Sequence, residues 1–348
     1  MWKLGKITTS VIALGVVLGG ALHARAMEKD QMEAYFTHKD FYLPNRQEVV
    51  DVVKYGFGFN EDRAVVDAEV DVNLMSDYAL LVNLTTNEVI YEKNAHERTY
   101  PASLTKMMTV LVGLEHRADV DIVIDVDFET LANEGAAIAG FSNGQHVSYD
   151  DLLYGVMLPS GADAAQMLAK VVAGSEEGFV ELMNEKAQRL GMKDTHFTNV
   201  VGLHDDNHYS TPWDLAILEK VALSNDEFRE IFSAPSYQAS VVDGDGNPLI
   251  FTSRMFDRME NPKFEGGQVL GGKTGYTYEA ALCLASYATD GVNEYALVTT
   301  HANGNSYTPQ YHVLDALTAY DYFLNDEVPG EVLIEDLQSS AQYLRVVK

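Results

Sequence analysis

The stretch Tyr100-Pro101-Ala102-Ser103-Leu104-Thr105-Lys106, with the run it opens, constrains this chain more than any other part. From Ser103 to Leu114, apolar residues (Leu104, Met107, Met108, Val110, Leu111, Val112 and Leu114) fall on nearly every side of a helix. A helix that is apolar all round belongs in the middle of a domain. Its first turn nevertheless carries a hydroxyl and an amine three residues apart, which places Ser103 and Lys106 on one side. Pro101 just upstream suits a sharp helix start. A buried helix that offers Ser and Lys together at its beginning is a place for covalent chemistry. The competing reading is an N-capping serine followed by a surface lysine.

The 348 residues, 47% hydrophobic and 22% charged, suffice for a large core and one or two domains. A net charge of -28 argues against nucleic acid as a partner, because phosphate contacts need a basic surface. It argues equally against adsorption to anionic lipid and serves solubility. At the N-terminus, Lys3 and Lys6 precede the uncharged run from Ile7 to Leu22, and Ala24-Arg25-Ala26 gives a small-x-small cleavage pattern. Residues 1–26 therefore read as an export signal, with an uncleaved anchor as the alternative. The single cysteine, Cys283, allows no internal disulfide and sits in an apolar run as a small hydrophobe.

Residues 27–72 form an acidic extension without a catalytic pattern. The main domain is expected over 73–325, and residues 326–348 form a tail. Tyr78 to Glu92 reads as two strands around Thr85-Thr86-Asn87-Glu88. Asp119 to Phe128 alternates acids with branched residues, as an exposed strand would. Helices are expected over 150–158, 162–172, 176–190 (stopped by Gly191), 212–223 and 226–232. The period then changes. Strands are expected over 268–277, 280–288 and 294–300, the last two joined through Asp290-Gly291. An amphipathic helix over 309–324 follows, with Val313, Leu314, Leu317, Tyr320 and Leu324 on one face. Strand and helix, then many helices, then a meander and a last helix make an α+β domain with a helical insertion.

Gly271-Gly272-Lys273-Thr274-Gly275 opens the meander. Glycines let another group approach a strand backbone closely. Lys273 and Thr274 suit a substrate carboxylate, by charge and by a hydroxyl hydrogen bond. The spacing is not that of a P-loop. Without substrate, the same residues read as a Gly-rich strand start with a solvated lysine. His204 and His208 lie in a polar turn rather than on a periodic helix, and no His-Glu-x-x-His occurs, so a structural loop is a better reading than a metal site. A serine hydroxyl needs a base to become a nucleophile, and a desolvated lysine has the lowered pKa to be that base.

Ser103-x-x-Lys106, a serine between two helices at Ser160, then Lys273-Thr274-Gly275 on a strand is the motif order of penicillin-binding proteins and serine β-lactamases. The surrounding text YEKNAHERTYPASLTKMMT, VMLPSGADAA, HYSTPWDLA and GGKTGYTYEAALCLAS resembles the serine D-Ala-D-Ala carboxypeptidases, the low-molecular-mass penicillin-binding proteins. The resemblance covers about Asp77 to Leu324. It implies a β-lactamase/DD-peptidase-like fold: an antiparallel sheet with flanking helices plus an all-helical subdomain, and the site in the cleft between. It implies Ser103 as acylated nucleophile, Lys106 as its base and Ser160 as proton relay to the leaving D-alanine. Lys273 and Thr274 would bind the terminal carboxylate, Gly275 and Tyr276 would complete the substrate-binding strand, and the N–H groups of Ser103 and Tyr276 would form the oxyanion hole. The partners implied are peptidoglycan stem peptides and β-lactam antibiotics. No metal or organic cofactor is needed, and the enzyme would work outside the cytoplasm without a stable membrane anchor once the signal is cleaved.

One departure stands out. The family's middle motif, Ser-x-Asn, reads Ser160-Gly161-Ala162, with Asp163 next, and no relocated copy occurs. Losing that amide costs about 1–3 kcal/mol, or about 10–100-fold in rate. Asp163 reads as the cap of the following helix, or as a partial substitute. Two alternatives remain open on this reading: a β-lactamase on the same fold, for which Glu227 and Glu230 lack the expected asparagine, and a wall-binding homologue with weakened catalysis.

Overall fold

The computed structural model describes residues 58–61, 65–66, 72–305 and 307–325. The export signal at 1–26, most of the 27–72 extension and the tail at 326–348 lie outside the described residues. A seven-stranded sheet forms the frame. Its members are β1 (Val65–Val66), β2 (Ser76–Asn83), β3 (Glu88–Lys93), β8 (Lys263–Phe264), β9 (Gly267–Thr277), β10 (Ala281–Thr289) and β11 (Glu294–Ala302). The order across the sheet is β1-β3-β2-β11-β10-β9-β8. All pairings are antiparallel except β1 with β3. The hairpin around residues 84–87 and the Asp290-Gly291 turn form as expected, with Gly291 at φ 89°.

β10 is buried from Leu282 to Ala288 and almost wholly apolar there, with Ser286 the exception, because both of its faces are covered. Cys283 and Ala285 join the larger core under the helices, while Leu284 and Ala288 join a smaller core on the other face. That second face is covered by α8 (Tyr311–Leu324). The helix buries Val313, Ala316, Ala319 and Tyr320, whereas Leu314 is exposed. The face is therefore rotated from the one read off the large apolar residues, because small alanines let the helix lie close on the sheet. Asp315, also buried, accepts from the backbone N–H groups of Met75 and Ser76 and from the Ser76 hydroxyl, which fastens the start of β2 to α8.

On the larger side, α1 (Thr105–Glu115) runs through the centre, with every residue from Thr105 to Leu114 buried. Around it lie α3 (Tyr149–Met157), α4 (Ala162–Ala173), α5 (Glu176–Leu190), α6 (Pro212–Leu223) and α7 (Asp226–Ser233). Local chemistry sets their ends. Ser148 and Asp151 form a capping box on α3, Thr211 caps α6 ahead of Pro212, and Gly191 ends α5 in the left-handed region. Gly113 lets α4 approach α1, since a Cβ there would meet Leu168 Cδ2 at 2.8 Å.

Two differences from expectation concern small sheets. Only Ile122–Val123 (β4) of the 119–128 stretch pairs, with β5 (His146–Val147), and Asp127 then caps α2 (Phe128–Asn133). Ile122, Ile124 and Val126 are buried in alternation, so the pattern holds without a long strand. The hairpin of β6 (Ser236–Val242) and β7 (Pro248–Thr252) was not read from the sequence. It is pinned to α3 by the buried Asp151, which accepts from Ser240 and Tyr237.

Candidate active site

A cleft of about 320 Å³ opens between the sheet edge at β9 and the helical side. Ser103, Lys106, Ser160, Ala162, Thr274, Gly275 and Tyr276 line it. Lys273 stands just behind the wall. Three segments separated by more than fifty residues each along the chain thus meet in one place.

Ser103 lies in a 3-10 turn, Ala102–Leu104, and α1 begins only at Thr105. The turn has no side-chain cap, and its first residue, Ala102, sits at φ 45°, a costly conformation for a residue with a Cβ. Lys106 is 2% exposed. Its Nζ donates to Ser103 Oγ at 3.2 Å and to the Val201 carbonyl at 2.6 Å. Neither half of the cap-plus-surface-lysine reading survives. Burial, followed by the charge of Arg254, lowers Lys106 to about 7, with Asp163 opposing. Near neutrality a substantial share of the amine is therefore unprotonated and able to take a proton.

Opposite, Ser160 is buried at φ 66°. Lys273, 1% exposed, donates to Ser160 Oγ at 2.9 Å and to the Thr274 carbonyl at 2.7 Å. Burial pushes this lysine well below its ordinary value, and the nearby Lys106, Arg254 and Arg258 add to the effect. A Cβ at Gly275 would meet Ser103 N at 3.1 Å, so the strand edge passes directly over the Ser103 backbone. That close approach is the use of this glycine.

Asp163 is neither a cap nor a substitute for the missing amide. The N-cap of α4 is Gly161, without a side-chain bond. The fully buried Asp163 carboxylate instead accepts from the N–H groups of Ala139, Gly140 and Phe141, holding an inserted loop beside the cleft. Ala162 faces the cleft where the family's asparagine would stand.

Several residues of the site were missed in the sequence. The loop 199–203 is built on Asn199, whose Oδ1 accepts from the N–H groups of Val201, Gly202 and Leu203. It delivers the Val201 carbonyl to Lys106. Arg254 and Arg258 line the cleft with no acidic partner within ion-pair distance among the described residues. Arg258 is held by the Gln310 side chain at 2.9 Å and by the Arg254 carbonyl. His312, at the start of α8, is buried with both ring nitrogens unpartnered, and burial beside Arg258 lowers it to about 3. A pair of arginines in a polar loop carries no motif, and only the fold shows that they face the serine. His208 is buried and hydrogen-bonded at both ring nitrogens, so it is no metal ligand as it stands. Among the described residues, Glu61, Glu92 and His96 bring potential ligand atoms within 4.8 Å of one another, and none of these lines the cleft.

A sequence profile described as D-alanyl-D-alanine carboxypeptidase, peptidase S11, matches residues 64–304. The chain is 36% identical over 220 residues to the D-alanyl-D-alanine carboxypeptidase DacF of Bacillus subtilis, across 61% of this chain and 54% of that protein. It is 33% identical over 223 residues to DacD of Escherichia coli, with the same coverage. It thus spans about half the length of these curated relatives. The crystal structure of the Streptomyces K15 DD-transpeptidase superposes with a TM-score of 0.65 at 26% identity, covering 73% of this chain and 99% of that one. By the profile match over most of its length, the chain belongs to the D-alanyl-D-alanine carboxypeptidase family of serine peptidases.

Proposed function

We propose that the protein is an exported serine D-Ala-D-Ala carboxypeptidase acting on peptidoglycan stem peptides through an acyl-enzyme on Ser103. The observation that carries this reading is the 3.2 Å contact between Lys106 Nζ and Ser103 Oγ, in a setting that holds the amine near 7. Lys106 takes the hydroxyl proton as Oγ attacks the carbonyl between the two D-alanines. The N–H groups of Ser103 and Tyr276 meet the developing oxyanion. The proton taken by Lys106 reaches the departing amine through Ser160, whose oxygen accepts from Lys273 and whose own hydrogen is left free to donate. Water then cleaves the ester and releases the shortened peptide. The leaving carboxylate rests on the Thr274 hydroxyl and on Arg254 and Arg258, with Lys273 adding field from behind.

The strained amide of a β-lactam fits the same attack. No carboxylate lines the cleft among the described residues, and Glu227 is largely exposed and pairs with Arg117. That favours a lasting penicilloyl adduct over a β-lactamase. Ala162 favours turnover slower than an asparagine there would give. The test is D-alanine release from a pentapeptide together with labelling by a fluorescent penicillin, the adduct being mapped by mass. Parent protein should label on Ser103 and release D-alanine, and Ser103→Ala should do neither. Labelling of Ser103→Ala at the parent rate overturns the assignment.

A further inference from the structure

The nucleophile's turn is held from outside the motif. Ala102 occupies the left-handed region, and its carbonyl accepts from Thr105 Oγ1 at 2.8 Å. Thr105 Oγ1 in turn lies 2.7 Å from Nε2 of the buried His208. On the far side of that ring, Nδ1 accepts from the Thr198 N–H at 3.1 Å. A nitrogen that accepts from a backbone N–H carries no hydrogen, so the hydrogen of the neutral ring is on Nε2. His208 then donates to Thr105, and the one hydroxyl hydrogen of Thr105 goes to Ala102. The chain from Thr198 through His208 and Thr105 to Ala102 has a single direction, and it is reinforced at both ends: the Thr198 hydroxyl also lies 3.3 Å from Nδ1, and the Ala102 carbonyl also accepts from the Thr105 backbone N–H.

The ring is fixed in turn. Phe197 packs against it edge-on at 5.6 Å, and the backbone N–H of His208 donates to the Asp205 carbonyl. From the other side, Gly202 closes over the turn so tightly that a Cβ would lie 1.9 Å from the Ala102 oxygen. Thr105 stands between Ser103 and Lys106 in sequence, and the helix starts at Thr105. Whatever fixes the Thr105 hydroxyl and the Ala102 carbonyl fixes the angle at which Ser103 Oγ meets Lys106 Nζ.

We propose that His208 is a positioning residue for acyl transfer: as a neutral imidazole it locks Thr105 against the Ala102 carbonyl and so holds Ser103 in attack geometry. His208 touches neither substrate nor the reacting oxygen. The inference rests on the assignment of Ser103 as nucleophile. A misplacement of about 1 Å costs on the order of 10²-fold in rate, and the loss falls on the bond-making step rather than on binding.

The experiment measures fluorescent-penicillin acylation over a range of concentrations in the full chain, separating the first-order acylation constant from the dissociation constant of the prior complex. His208→Leu and Thr105→Val should each lower the acylation constant about 10–100-fold with an unchanged dissociation constant. His208→Gln, whose amide can accept from Thr198 and donate to Thr105, should recover most of the loss. The double variant His208→Leu with Thr105→Val should be no slower than the slower single variant, because both break one chain. Thr105→Ser, which keeps the hydroxyl and folds with the least disturbance, should stay near the parent. Acylation of both single variants at the parent rate, additive losses, or no recovery in His208→Gln overturns the proposal. Absence of any adduct on parent Ser103 overturns instead the assignment on which it rests.

Discussion

The two walls of the cleft present their serines by the same backbone device and secure it by different means. Ser103 follows a left-handed alanine, and Ser160 is itself left-handed. On the nucleophile's wall the turn is held by a neutral relay of a carbonyl, a hydroxyl and an imidazole. On the opposite wall the turn is tied to a neighbouring loop by the Ala162 N–H, which donates to Ala137, and a buried carboxylate, Asp163, fixes that loop by accepting from the N–H groups of Ala139, Gly140 and Phe141. The lysines differ in parallel. Lys106 contacts the cleft and sits near 7, whereas Lys273 is sealed behind Ser160 and pushed well below its ordinary value. The lesson is that two lysines buried alike differ in what they reach: Lys106 lines the cleft and donates to Ser103, whereas Lys273 stands behind the wall and donates to Ser160.

The largest expected effect tests the division between the lysines. Lys106→Met removes the base and should slow acylation by about 10²–10⁴-fold, read as the rate of penicilloyl adduct formation. Lys273→Met should raise the concentration of substrate needed for half-maximal rate as well. If both variants lose only rate, the two amines are not distinct in role.

The clamps come next. Asp163→Ala leaves three N–H groups without their acceptor and should cost about 3 kcal/mol of stability. Thr105→Val, which interrupts a neutral relay, should cost about 1 kcal/mol. Urea unfolding at neutral pH compares them, and equal losses would erase the contrast between charged and neutral clamps.

Ala162→Asn places an amide in the cleft between the walls and should speed acylation about tenfold, a gain of about 1.4 kcal/mol. The adduct-formation rate reads it, and no gain would mean that the site has settled around alanine.

The smallest effect is a displacement of the pH profile. If Lys106 is the base, as proposed, acylation should rise with pH and reach half its plateau near 7. Arg254 is a positive neighbour that lowers this value. Arg254→Met removes the repulsion and should move the rising limb to higher pH by about half a unit. A move to lower pH would reverse the electrostatic account of the site.

Much of this was legible in order along the chain. The apolar run after Pro101 required a central helix, and residues 105–114 are all buried. The capped and Gly-stopped helices and the 268–300 meander also carried local signals strong enough to read. Short-range chemistry fixes such elements, because caps, turns and period lie within a few residues of one another. The β6–β7 hairpin was missed because its anchor, Asp151, lies about ninety residues away in the chain.

For the site, the sequence by itself determined which groups are candidates for chemistry: a hydroxyl and amine one turn apart, a distant serine and a glycine-flanked lysine. Tertiary structure alone decided their condition. It lowered the Lys106 amine by burying it beside Arg254, made Asp163 a loop clamp in place of a helix cap, brought Arg254 and Arg258 to the cleft that Ser103 lines, and set His208 behind the Ser103 turn. A pKa and an attack angle depend on which atoms lie within a few ångströms, and in this protein most of those atoms come from residues fifty to two hundred positions away.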